Sequence, residues 1–204
     1  MKRSADILGR LKEAALPFFS TREAAALTDL SASAVYKHLL VFERAGLICK
    51  VRYGCWALDP DVNPLVYAAW VRAPLPSYVS LYTALYQHGI ITQIPQVIYV
   101  ASLGPTERFE TALGTYSVHQ VSPEVFGGYI EHDGVRMATP EKAIFDTLYL
   151  ARARSGRFAG MTEVELPAGF DRTALRAFAT KISDPAARKR VERAIVEFLR
   201  EPNS

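Results

Sequence analysis

Between Ser31 and Leu58 the chain carries start and stop signals so closely spaced that few local structures satisfy them all. Ser31 is a natural N-cap, since its hydroxyl can accept from the backbone amides that a first helical turn leaves unpaired. Gly46 can take the left-handed conformation that closes a helix. The spacing predicts a helix between them, with Val35, Leu39 and Phe42 on one face and Ser33, Lys37 and Arg44 on the other, Tyr36 lying beside that polar set. Leu47–Val51 and Cys55–Leu58 then read as two short strands joined by Arg52-Tyr53-Gly54, where Gly54 supplies the positive φ of a tight turn.

Upstream, Ile7, Leu8 and Leu11 recur at helical spacing and predict a helix from Ser4 to Ala15, ended by Pro17. Ser20 or Thr21 can cap a second helix, with Glu23 in its first turn and Ala24 to Leu27 forming a slim packing surface; Thr28-Asp29-Leu30 is the turn that follows. Helix, helix, turn, helix and two-stranded hairpin is the order of a winged helix-turn-helix, whose third helix enters the major groove while the wing tip touches the backbone or minor groove. The DNA-binding candidates are therefore Ser31, Ser33, Tyr36 and Lys37 on the third helix, Thr21 and Arg22 at the start of the second, and Lys50, Arg52 and Tyr53 on the wing. His38 is expected to pack at the helix edge, and Leu40, projecting among polar groups, to be partly buried. The competing reading is a packing or protein-binding module of the same outline.

Charge favours the DNA reading. Residues 1–58 hold nine Lys and Arg against five acidic residues, whereas the rest of the chain holds 15 against 16, so the positive excess sits where a polyanion gains most by docking. Half of the residues are hydrophobic and 22% charged, which supplies real cores and argues against disorder.

Pro60, Pro64, Pro74 and Pro76 make a long helix after the wing improbable, although Val66 to Val71 has room for a short element. The expected organisation is a DNA-binding domain over residues 1–60, a linker over 61–76 and a second domain over 77–204. In that second domain Ser77 to His88 reads as a helix closed by Gly89, Gln96–Ala101 and Tyr116–Val121 as strands, and Gly128–Ile130 with Val135–Ala138 as a hairpin about His132-Asp133-Gly134. Pro140 opens a helix to about Ala153, and Pro185 a last amphipathic helix with Ile195, Phe198 and Leu199 inward. The fold class is therefore α+β, an N-terminal winged helix-turn-helix followed by a mixed α+β domain.

Catalytic apparatus is not apparent. There is no GxSxG elbow, phosphate-binding loop, dinucleotide fingerprint or HExxH pair, and Glu141 and Asp146, five residues apart, fall off a common helix face. No enzyme activity, small-molecule substrate or cofactor is expected. Cys49 and Cys55 flank a tight turn and are poorly placed to bridge, and His38 alone does not complete a metal site with them. Two basic clusters remain: Arg152, Arg154 and Arg157, and then Arg188, Lys189, Arg190 and Arg193. A solvated helix face accounts for both; the sharper reading is a surface for an acidic partner or for more DNA. No stretch is long and apolar enough to span a membrane, and the start of the chain lacks a signal-peptide core, so the expected location is the cytoplasm.

Three runs carry a resemblance. Gly46-Leu47-Ile48-Cys49-Lys50-Val51-Arg52-Tyr53-Gly54-Cys55-Trp56-Ala57-Leu58 is the first. The second is Ser80-Leu81-Tyr82-Thr83-Ala84-Leu85-Tyr86-Gln87-His88-Gly89, followed by Thr92-Gln93-Ile94-Pro95. The third is Thr139-Pro140-Glu141-Lys142-Ala143-Ile144-Phe145-Asp146. Together, over about residues 18–150, they resemble the AbiEi family, the antitoxins of type IV toxin–antitoxin and abortive-infection phage-defence systems. The resemblance implies a winged domain that represses its own operon by binding its promoter as double-stranded DNA, and a C-terminal domain that neutralises a nucleotidyltransferase-like toxin. The tail after Leu150 lies outside it, and a solitary regulator or an interaction adaptor without a toxin partner stays open.

Overall fold

The computed structural model describes residues 2–151 and 164–200. The chain is an α+β protein with eight helices and two sheets among the described residues. It divides into two compact units: Met1–Tyr67 with Glu110–Gly114, and Ala68–Phe109 with Thr115–Ser204. No helix among the described residues is long and apolar enough to cross a membrane.

The first unit runs α1 (Lys2–Glu13), β1 (Phe18–Ser20), α2 (Thr21–Thr28), α3 (Ala32–Arg44), β2 (Cys49–Arg52) and β3 (Cys55–Ala57), followed by the short helix α4 (Pro64–Tyr67). Ile7 and Leu11 of α1, Ala24 of α2, and Val35, Leu39 and Phe42 of α3 close one core with Ile48 and Trp56. The sheet has three strands, not the two of a bare hairpin: Phe18–Ser20 pairs antiparallel with β3 in the order β1-β3-β2. Three residues are too few to show alternation, and the pairing depends on β3 being folded beside them. In the segment expected as a linker, α4 places Tyr67 in the interior with its ring 4.9 Å from that of Phe18. Ala68 and Val71, which follow in the second unit, are also buried.

The second unit is built on β4 (Ser77–Val79), α5 (Leu81–Gln87), β5 (Ile98–Ser102), most of β6 (Glu107–Thr111) and of β7 (Gly114–Gln120), β8 (Tyr129–His132), β9 (Val135–Ala138), α6 (Pro140–Ala151), α7 (Arg172–Thr180) and α8 (Pro185–Arg200). The six strands lie in the order β6-β7-β5-β4-β9-β8. The expected helix from Ser77 is corrected here. Ser77–Val79 is a strand inside the sheet, antiparallel to β5 and parallel to β9, with all three residues buried. The helix begins only at Leu81. Ser80, at its N-cap, makes no capping hydrogen bond, because its hydroxyl donates to Asp146 at 2.7 Å.

Tyr78, Leu81, Leu85, Ala101, Phe145, Leu175 and Ile195 belong to one buried cluster between the sheet and the helices. On α8, Ile195 and Phe198 are buried and Leu199 is half-buried, in the phase its amphipathic pattern requires. Strand β6 and helix α7 were not anticipated. The α7 signal is present in the sequence: Asp171 caps it by accepting from the amides of Thr173 and Ala174, and Leu175 and Ala179 are its buried residues at a spacing of four.

Candidate nucleic-acid interface

The turn between α2 and α3 is held at both ends by local chemistry. Ser20 and Glu23 form a reciprocal capping box, with the Ser20 amide donating to Glu23 at 2.6 Å and the Glu23 amide to the Ser20 hydroxyl at 3.1 Å. At the other end Asp29 sits in the left-handed region (φ 54°) and its amide donates to the Ala25 carbonyl. Arg10 of α1 bridges to the Asp29 carboxylate at 3.1 Å. Ser31 then caps α3 by accepting from the Ala34 amide at 3.2 Å, and its hydroxyl also meets that of Ser33 at 3.2 Å.

Burial of Val35, Leu39 and Phe42 sets the rotation of α3 and leaves Ser31, Ser33, Lys37 and Arg44 exposed on its other side. Leu40 is half-buried. His38 is half-buried at the helix edge, 3.2 Å from the Ser4 hydroxyl and beside Phe42. No acidic residue stands in the first turn of α3, so its unpaired amides face no competing carboxylate. The first turn of α2 differs: Glu23 occupies it. An anion there depends on the exposed Arg22 side chain, not on the helix end.

The nine candidate residues separate into two groups. Tyr36, Lys50 and Thr21 are tied to Trp56, the fully buried aromatic of β3. Tyr36 meets the Trp56 ring edge-on at 5.9 Å, Lys50 lies over both rings with its ammonium 5.7 Å from each, and Lys50 Nζ donates to the Tyr36 hydroxyl at 3.4 Å. Trp56 Nε1 donates to Thr21 Oγ1 at 3.0 Å. The remaining six, Arg22, Ser31, Ser33, Lys37, Arg52 and Tyr53, are exposed. Tyr53, at the hairpin tip before Gly54 (φ 72°), is 93% exposed. The Thr21 amide donates to the Gly54 carbonyl at 3.0 Å, which locks the hairpin turn to the start of α2. The Trp56-centred joint has no local signal in the sequence, since β3 spans three residues and buries Trp56 and Ala57 alike.

Cys49 and Cys55 are free thiols in staggered register, Cys49 opposite Ala57 and Cys55 opposite Arg52. Burial raises both pKa values, which lowers thiolate character and reactivity. Among the described residues no group of three or more His, Cys, Asp and Glu is placed to hold a metal ion.

In the second unit, Arg152, Arg154 and Arg157 lie outside the described residues. On α8, Lys189, Arg190 and Arg193 are exposed, whereas Arg188 is half-buried and its Nε donates to the Ile182 carbonyl at 2.8 Å, a fold-forming role. The acid–base pair that does meet on α6 is Lys142 with Asp146, one helical turn apart, not Glu141 with Asp146. Their side chains are fully buried with Nζ 2.7 Å from Oδ1, and Asp146 Oδ2 accepts from Ser80 and from Tyr78. Burial lowers the Lys142 pKa while the Asp146 carboxylate opposes the shift. This satisfied, inaccessible network joins the Ser80–Gly89 and Thr139–Asp146 runs, and it organises a core. Compared with known proteins, the chain matches no family model and no curated protein.

Proposed function

We propose that the protein is a DNA-binding transcriptional autorepressor and the antitoxin of a type IV toxin–antitoxin pair, acting in the cytoplasm without a cofactor and without catalysis. The observation that carries the DNA half is the exposed face of α3. Ser31, Ser33 and Lys37 stand opposite the buried Val35, Leu39 and Phe42, with no acid in the first turn. In this reading α3 enters the major groove by its N-terminal half, Ser33 and Lys37 reach base edges or flanking phosphates, and Arg22, Arg52 and Tyr53 grip backbone. Tyr36, Lys50 and Thr21 hold the hairpin against α3, so that wing and helix meet the duplex as one rigid surface.

The antitoxin half rests on the resemblance of the second unit's motifs to the AbiEi family. The partner is a nucleotidyltransferase-like toxin encoded beside the protein, and the exposed Lys189, Arg190 and Arg193 of α8 are the cations that its acidic surface would meet.

Two measurements test the two halves separately. Lys37→Ala with Arg52→Ala should weaken promoter binding and reduce the slope of log K against log salt by about one per lost phosphate contact. An unchanged slope refutes the DNA assignment. The adjacent gene is expressed alone and with this chain: toxicity relieved by the full chain supports the antitoxin, and a harmless neighbour leaves a solitary winged-helix regulator.

A further inference from the structure

The loop between α5 and β5 closes a cleft of about 280 Å³ with Tyr82, Tyr99 and Arg108. Its walls are prebuilt. The Thr83 hydroxyl donates to the Val97 carbonyl at 3.2 Å and accepts from the Tyr99 amide at 2.8 Å, so one buried side chain pins the loop and the strand to α5. The Tyr99 ring is held in place by two neighbours, stacked on His119 at 6.0 Å and edge-on to Tyr82 at 5.6 Å. His119 is buried and bonded to the Ser117 hydroxyl at 2.9 Å. A ligand therefore finds an aromatic wall that needs no ordering on binding.

The charge of the cleft is one-sided. Among the described residues, Arg108 is the one charged side chain that lines it; the adjacent Glu107 is engaged by Arg72 at 2.6 Å. Gln93 and Gln96 add neutral amides, and Ile94, 63% exposed, forms an apolar lip. The volume lies below the roughly 300–1,000 Å³ of pockets that take drug-sized ligands, which suits one ring system with a short acidic tail.

We propose that this cleft binds a small aromatic carboxylate, its ring against Tyr82 and Tyr99 under the Ile94 lip and its carboxylate on the Arg108 guanidinium. The planar guanidinium matches a carboxylate by two parallel hydrogen bonds, and the tyrosine faces supply the apolar contact that a free acetate could not use. The site binds and performs no reaction, and it stands independently of the toxin–antitoxin reading.

The test uses the full chain, titrated with indole-3-acetate, indole-3-acetamide and acetate while backbone amide shifts and heats are recorded. Indole-3-acetate should saturate, with shifts centred on Tyr82, Gln93–Tyr99 and Arg108. The neutral amide should bind about tenfold more weakly, the loss of one charge-assisted contact, and acetate should not saturate. Arg108→Gln, at an exposed position, should weaken the acid by about tenfold and erase its advantage over the amide without moving the unfolding midpoint. Absence of saturable shifts, shifts centred elsewhere, equal binding of acid and amide, or an unaffected Arg108→Gln variant each overturns the assignment.

Discussion

Asp146→Ala in the second unit removes one carboxylate that serves three partners. Lys142 Nζ lies 2.7 Å from Oδ1, and Oδ2 accepts from Ser80 at 2.7 Å and Tyr78 at 3.0 Å, all inside the fold. In the variant the Lys142 ammonium keeps the Val125 carbonyl at 2.5 Å and the ring faces of Phe145 and Phe178, 4.7 and 5.1 Å away, but no counter-charge. Leaving one member of a buried ion pair alone costs about 3–5 kcal/mol. Each orphaned hydroxyl adds about 1–3 kcal/mol, and the contributions overlap because they share one group. The expected loss is roughly 4–6 kcal/mol, or a fall in Tm of about 10–20 °C for a chain of this size. Urea unfolding followed by circular dichroism and by fluorescence of Trp70, which lies in the second unit, reads it directly. Lys142→Met combined with Asp146→Leu removes both charges and should be at least about 2 kcal/mol more stable than the sum of the single losses. Additivity within about 0.5 kcal/mol, or an Asp146→Ala loss below about 1 kcal/mol, would refute the reasoning that the pair is mutually dependent.

Four further outcomes follow from the geometry. Gly128→Ala combines a positive φ of 74° with a Cβ 2.7 Å from Phe178 Cζ, and should cost about 2–4 kcal/mol in urea unfolding. Gly46→Ala, also at positive φ (69°) but facing open space, should cost only about 1 kcal/mol. The Ser183 hydroxyl and amide hold the Glu124 carboxyl below its ordinary 4.5, so its contribution is present above that value and is lost as pH falls through the lowered one. Glu124→Gln should therefore flatten the decline of the urea midpoint between about pH 5 and pH 3; an unchanged decline refutes the role. Tyr53→Ala should leave the unfolding midpoint within about 0.5 kcal/mol of wild type, given its exposure, while weakening promoter binding in a mobility-shift titration.

Much of the first unit was legible because its signals are local. The Ser20–Glu23 capping box, the Ser31 cap and Gly54 in its turn act through atoms a few residues apart. The spacing of Val35, Leu39 and Phe42 fixes which face of α3 is buried whatever it is buried against, and so which residues are offered to a ligand. The candidate interface was legible as a set of positions but not as a set of free groups. Tyr36, Lys50 and Thr21 are polar in the sequence, yet they converge on Trp56 from three different elements.

The chain alone carried enough to place helices, caps and hairpins, since each rests on backbone sterics and hydrogen bonds within one or two turns. Tertiary structure decided what depends on a distant partner. Ser77–Val79 is a strand because β5 and β9 take its backbone hydrogen bonds, although its residues continue a helical pattern. Phe18–Ser20 pairs because β3 returns beside it, 35 residues later at Ser20 and Cys55. Lys142 and Asp146 look like solvent residues of an ordinary helix, and they lie in the core only because Ser80 and Tyr78 arrive from another part of the chain to satisfy them. A polar group's burial is set by its partners, and those partners are brought together only by the fold.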